Sequence, residues 1–306
     1  MAWGVRLMLV ALLSMLFGCD TGGPYARKQG VWRFGKETLD VPAGEQVTSL
    51  NARFAKSATR VWYRSTPIPG ADAASFEAID EHYARDTAHA WYGETYRDGR
   101  DYYTTQRVRL RQLDQAIPGS LKVLAGGYAV DGAHAFYEGL AFPVADAGSF
   151  EPLDDGFAHD REHGYFRRVA IAGSEGAGFS VIGQHFARDG HSVFWADPDG
   201  PAPVATRLAG AEPTSFQALS YGYAKDARRA YYQSKALTDD LASFQALDYG
   251  YAKSDKAVYF AGESIPGADA ASFTILSPVT ETASAQDKRG LFNDGLRVSA
   301  PAASEP

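Results

Sequence analysis

From residue 25 onward, apolar positions come in runs of two or three separated by polar turns, and extended 3.6-residue periodicity is absent. The clearest run is YAKDARRAYY at residues 223–232, which returns as YAKSDKAVYF at 251–260. The pattern predicts a short strand over 223–225, a turn over 226–229 and a return strand over 230–232. Asp226 stands where an aspartate can accept backbone N–H bonds from residues two or three further on. In the expected register Tyr223 opposes Tyr232 and Ala224 opposes Tyr231. The recurrent alanine then leaves room for the ring across from it.

The ten-residue pattern recurs at 54, 83, 128, 157 and 186, with a degraded copy at 25. Successive starts are 29, 29, 45, 29, 29, 37 and 28 residues apart, so a unit of about 29 residues carries insertions in its third and sixth copies. A further half-copy is expected from Ala285, with Leu291 and Phe292 standing for the aromatic pair. A second signature, Ser-Phe-x-x-Leu or a close variant, contributes Phe76, Phe150, Phe216, Phe244 and Phe273 as expected core anchors. The stretch IPGADAASF occurs at both 68–76 and 265–273, which points to duplication within the gene. A lone hairpin is marginal in water, whereas stacked hairpins share a core. The expected architecture is all-β: tandem β-hairpin repeats, about eight units over residues 25–278, in an elongated or curved stack. A propeller-like closed ring is the alternative. Residues 279–306 are expected to hold the half-repeat and a flexible tail. Tyr223, Tyr231, Tyr232, Tyr251 and Tyr259 are assigned structural roles alongside Asp226, Phe244 and Phe273.

The first residues change the picture of location. Arg6 precedes an apolar run from Leu7 to Phe17, of signal-peptide length. It ends in Leu16-Phe17-Gly18-Cys19, which resembles a bacterial lipobox, and Cys19 is the only cysteine in the chain. Residues 1–18 are therefore expected to be a lipoprotein signal peptide, Cys19 the lipidation site, and residues 19–24 a tether. Asp20 resembles an inner-membrane retention signal, favouring the periplasmic side of that membrane within the bacterial cell envelope. With no second cysteine the fold must stand on packing. Lys and Arg total 30 against 37 Asp and Glu, a formal charge of −7 without a basic stripe, which argues against nucleic acid as partner.

The Asp-Lys-x-x-Tyr-Phe stretch at 255–260 and its relatives, followed by Gly-Ala-Asp-x-x-Ser-Phe, resemble the DKNYY family of bacterial repeat proteins over roughly residues 25–278. The resemblance implies repeat architecture and brings no catalytic residue with it.

Dinucleotide-binding glycine loops, P-loops, metalloprotease helices and nucleophile elbows are absent from the sequence. The carboxylate pairs Asp154–Asp155 and Asp239–Asp240 fall between units, where solvated turns are expected. His89, His134 and His163 share the last turn position in three successive units, so they are candidates for a surface or metal-binding column. The same column takes Arg60 and Arg229 elsewhere, which favours a merely polar position. The adjacent rings of each return strand should face opposite ways. One ring is then core, and the other is core or a ladder that stacks on sugar rings. Residues 96–103 read as an extra hairpin within unit three, and residues 197–203 as a proline-rich loop in unit six. The expected function is a non-catalytic envelope lipoprotein without cofactors, held to the membrane by its N-terminal lipid. Its repeats would bind an envelope protein or cell-wall glycan. A purely structural or regulatory lipoprotein and a hydrolase with its site in the insertions are the alternatives.

Overall fold

A computed structural model describes residues 23–298 apart from Arg100, Asp101 and Ala242. The expected signal peptide, the expected lipidation site Cys19, Asp20 and the tail at 300–306 lie outside the described residues. Those described form nine antiparallel sheets in tandem, the first three-stranded and the other eight four-stranded. Each is a meander of strands in chain order. In unit seven these are Gln217–Ala218, Tyr223–Lys225, Ala230–Tyr232 and Lys235–Thr238. Such short edge strands present little unpaired backbone to other chains.

The expected register holds. Tyr223 pairs with Tyr232 and Ala224 with Tyr231, and the same pairing recurs at Phe54–Tyr63, Tyr128–Tyr137 and Tyr251–Phe260. The first and tenth rings of a unit sit on one face, 4.9 Å apart in unit seven. The alanine and the ninth ring sit on the other. Both faces are buried. The Tyr223–Tyr232 face packs toward unit eight, with Phe244, Ala252 and Tyr259. The Ala224–Tyr231 face packs toward unit six, with Phe186, Val193 and Phe216. The second ring of each pair therefore packs on the next core, buried at Tyr63, Tyr92 and Phe166 and half-buried at Tyr137, Trp195, Tyr232 and Phe260.

Eight clusters fill the eight junctions between neighbouring sheets. None of them joins the first sheet to the last, so among the described residues the array is open and the closed ring has no counterpart. In six junctions a phenylalanine wedges between two rings, five times the signature residue and in the fifth-to-sixth junction Phe179, between Phe157 and Phe194. Phe216 lies 5.3 Å from Phe186 and 5.5 Å from Tyr231. Phe273 lies 5.3 Å from both Tyr251 and Phe292. Each such ring pair adds about 0.5–1.5 kcal/mol beyond its burial. Leu121 fills the wedge position in unit four, where Ser120-Leu121-Lys122-Val123-Leu124 carries the signature with leucine in place of phenylalanine.

Two readings are corrected. Residues 96–103 are not an extra hairpin. The return strand of unit three, Ala90–Tyr96, runs long and pairs with Arg107–Gln112, so the insertion extends the third and fourth strands of one sheet. The half-copy near Ala285 is a complete four-stranded sheet. There Ala285 pairs with Phe292, so the pair positions are held by Phe292 and Asn293, one residue later than expected. Ser284 and Asn293 thus replace the two rings that every other unit turns toward its successor. At the other end, Ala26 pairs with Arg33, so an arginine replaces the ring on the outward face of sheet one. The degraded copies are the terminal ones, as an apolar stack with wet ends requires.

Candidate functional site

A meander puts its first and third turns at one end of the sheet, and its second turn and exit at the other. Neighbouring sheets are stacked in the same sense, because the first turns of units seven and eight touch. The stack therefore has two distinct ends.

The second-turn end is occupied by the repeat aspartate. Asp160 accepts from the N–H groups of Glu162 and His163 through Oδ1. Its Oδ2 accepts from the N–H groups of Ala145 and Asp146, in the connector from unit four, and from the Tyr165 hydroxyl at 2.6 Å. Asp226 repeats this with Arg228, Arg229, Glu212 and Tyr231. Asp86, Asp131, Asp189 and Asp287 each bind their own turn and the preceding connector. One side chain thus closes its hairpin and clamps it to the chain before it.

Burial alone would raise these carboxyls. At Asp86, Asp131, Asp226 and Asp287 the donated N–H bonds outweigh it and hold them below the usual range, and at Asp160 the bonds hold the carboxyl at about 2. A depressed carboxyl contributes stability above its unfolded value of about 3.9 and loses it as pH falls through the folded value. The melting temperature is expected to be flat from about pH 7 to 5 and to fall steeply from about pH 4 toward 2. Circular dichroism melts test this, and an unchanged melt at pH 3 would contradict the clamp.

The histidine column lies at this same end. His134 Nδ1 is 3.1 Å from Asp131 Oδ1 and His89 Nδ1 is 3.7 Å from Asp86 Oδ1, while His163 is exposed. Among the described residues no group of three or more His, Cys, Asp or Glu is placed to hold a metal. The imidazoles at 89 and 134 face the carboxylates of their own turns.

Tyrosine rivets link units at the first-turn end. The Tyr83 hydroxyl donates to the Gly127 carbonyl at 2.9 Å and accepts from the Gly139 N–H. Tyr223 does the same with Gly250 and Gly262. Burial pushes the Tyr223 hydroxyl up to about 12.

Both insertions leave from this end, since residues 97–106 and 197–204 are third turns. The second insertion borders a cleft of about 290 Å³ whose lining includes Arg111, Tyr137, Glu138, Arg167, Arg168 and Pro201, and the nearest contribution of unit three is Arg111 on its fourth strand. Arg111 binds Glu94 at 3.0 Å and the Glu138 carbonyl at 3.2 Å. Arg167 donates to the Pro198 carbonyl at 2.8 Å. Arg111 thus ties the fourth strand of unit three to unit four, and Arg167 ties the insertion of unit six to unit five. Its lining carries three arginines against one glutamate, and no histidine. Units seven and eight add a second opening of about 520 Å³ between their fourth strands, where Tyr232 is half-buried.

Two exposed residues escaped the sequence reading. Tyr221 and Tyr249 sit in the first turns of units seven and eight, each just before a glycine. The available signal was Tyr-Gly where a hairpin turn prefers Asn-Gly or Asp-Gly.

No curated protein and no solved structure matches this chain. The sequence profile of the DKNYY family matches residues 54–198 and 231–296, more than half the chain, in segments that take in the clamped hairpins at Asp86, Asp131, Asp160 and Asp189 and the first insertion. With its repeated Asp turn and paired rings, the chain belongs to the DKNYY family.

Proposed function

We propose that this protein is a non-catalytic scaffold that binds a partner through the first-turn end of its stack, anchored in the bacterial envelope through Cys19. One observation carries the reading. Both breaks in the repeat period and the exposed tyrosines at 221 and 249 emerge from the same end, while the opposite end is consumed by the aspartate clamps. Insertions in repeat arrays tend to gather on the binding face. The repeat aspartates, Asp86, Asp131, Asp160, Asp189, Asp226 and Asp287, are engaged by backbone N–H groups. The N-terminal sequence supports the anchor.

Crosslinking of the intact lipoprotein in its envelope, read by mass spectrometry, tests this. Crosslinks should cluster on the first-turn end. They should be lost when residues 97–106 and 197–204 are both shortened to tight turns. Crosslinks on the second-turn end, or ones indifferent to the shortening, would overturn it. Cys19→Ser should release the protein from membranes, and a variant that still sediments with them would refute the lipid anchor.

A further inference from the structure

We propose that the first-strand edge of units six to eight, with Tyr221 and Tyr249 at its rim, binds an uncharged glycan chain. The proposal rests on the reading that the first-turn end carries the partner surface, and it names the ligand class there.

The two tyrosines are in the wrong conformation for their type. Tyr221 has φ 57° and ψ 34°, and Tyr249 has φ 57° and ψ 33°. A left-handed backbone costs an L-residue about 1–2 kcal/mol, and only small or local-bonding residues visit it readily. Units four and five place Gly126 and Asp155 at the same turn position. Other hairpin turns of this chain place Arg64, Glu138, Arg167 and Gln233 in the same conformation, so the backbone alone does not single these tyrosines out. Their exposure does: the rings are 48% and 51% exposed, and neither belongs to a core cluster. Among the described residues neither meets another ring or makes a side-chain hydrogen bond.

Their placement is regular. They lie one unit apart on touching turns, and stacked sheets are separated by about 10 Å. That step is close to the length of a disaccharide, so two rings can meet alternate sugars of an extended chain. Beside them a groove of about 590 Å³ crosses units six to eight. It is within the range of ligand-binding clefts. Its polar lining is Gln184, Ser220, Lys225 and Gln245, with a single charge among amides and a hydroxyl. Flat aromatic faces beside amide and hydroxyl groups suit the C–H faces and hydroxyls of a sugar. A highly charged polymer would find one cation to pair with.

The test uses Tyr221→Gly with Tyr249→Gly. Glycine relieves the left-handed strain, so the variant keeps or gains stability while losing both rings. Titration calorimetry with an N-acetylglucosamine tetramer and with cellotetraose, and co-sedimentation with insoluble cell-wall polymer, read binding. The expected result is binding of at least one of these by the wild type, weakened tenfold or more in the double variant, at an unchanged or raised melting temperature. Absence of binding to all three, or equal binding by the variant, overturns the proposal. A melting temperature lowered by several degrees also overturns it, by making the rings structural. If the envelope crosslinks at residues 97–106 and 197–204 persist in the double variant while no glycan binds, the glycan site fails and the scaffold reading stands.

Discussion

Replacing Asp160 by alanine is expected to cost about 4 kcal/mol, among the largest effects of any single substitution in the chain. The side chain is fully buried and accepts from five donors: Ala145, Asp146, Glu162 and His163 through their N–H groups, and Tyr165 through its hydroxyl. Alanine leaves all five without a partner in a place where water enters poorly, and an orphaned donor costs about 1–3 kcal/mol. Asp160→Ser should recover part of the loss. Units two and eight already hold serine in this column, where Ser57 Oγ accepts from the N–H of Arg60 at 3.1 Å. Serine closes the turn but cannot reach the connector as well. Urea denaturation measures both variants. A loss below about 1 kcal/mol for alanine, or serine no better than alanine, would remove the clamp from the account of stability.

Truncation after Pro278 is expected to be worse than any point substitution away from the clamps. It deletes Ala285 and Phe292 and uncovers Tyr251, Val258 and Phe273. Burying one large apolar side chain contributes about 1.5–3 kcal/mol, so the loss is on the order of 5 kcal/mol. It also removes the polar face of Ser284 and Asn293, and leaves the Tyr251–Phe260 ring pair as the new end. The truncated chain should bind a hydrophobic dye and associate at micromolar concentration. Restoring solubility by Tyr251→Ser with Phe260→Asn would show that the pair positions decide whether a unit ends the stack. A truncated chain that melts like the full one and stays monomeric would refute the role of the ninth sheet.

The hairpins were legible because the repeat writes their chemistry openly. Aspartate marks the turn, and alanine marks the place opposite a ring. The outer strands were not legible. Gln217–Ala218 and Glu263–Ser264 are two residues long, too short for alternation to show. The turns beside them gave little warning, because Arg64, Glu138 and Gln233 take left-handed positions that glycine or asparagine usually announce. Burial on both faces was half visible. Alternation says that Tyr231 and Tyr232 face opposite ways, but only the stack shows that each side is covered by another unit. The extra hairpin in unit three was misread because Tyr102 and Tyr103 imitate the repeat's ring pair. They are 52% and 88% exposed at the tip of the extended strands. The candidate binding edge was invisible for a related reason. A tyrosine before a glycine looks like the many core tyrosines of this chain, and its exposure is a tertiary fact.

The placement of the cores between neighbours also bears on how the chain reaches this state. Every cluster joins units adjacent in sequence, and even the Tyr83 rivet to Gly139 closes a loop of only 56 residues. Low sequence separation of contacts favours fast closure. A chain emerging from its N-terminus can complete each junction as the next hairpin arrives. It exposes one unfinished apolar face at a time until the polar ninth sheet closes the series.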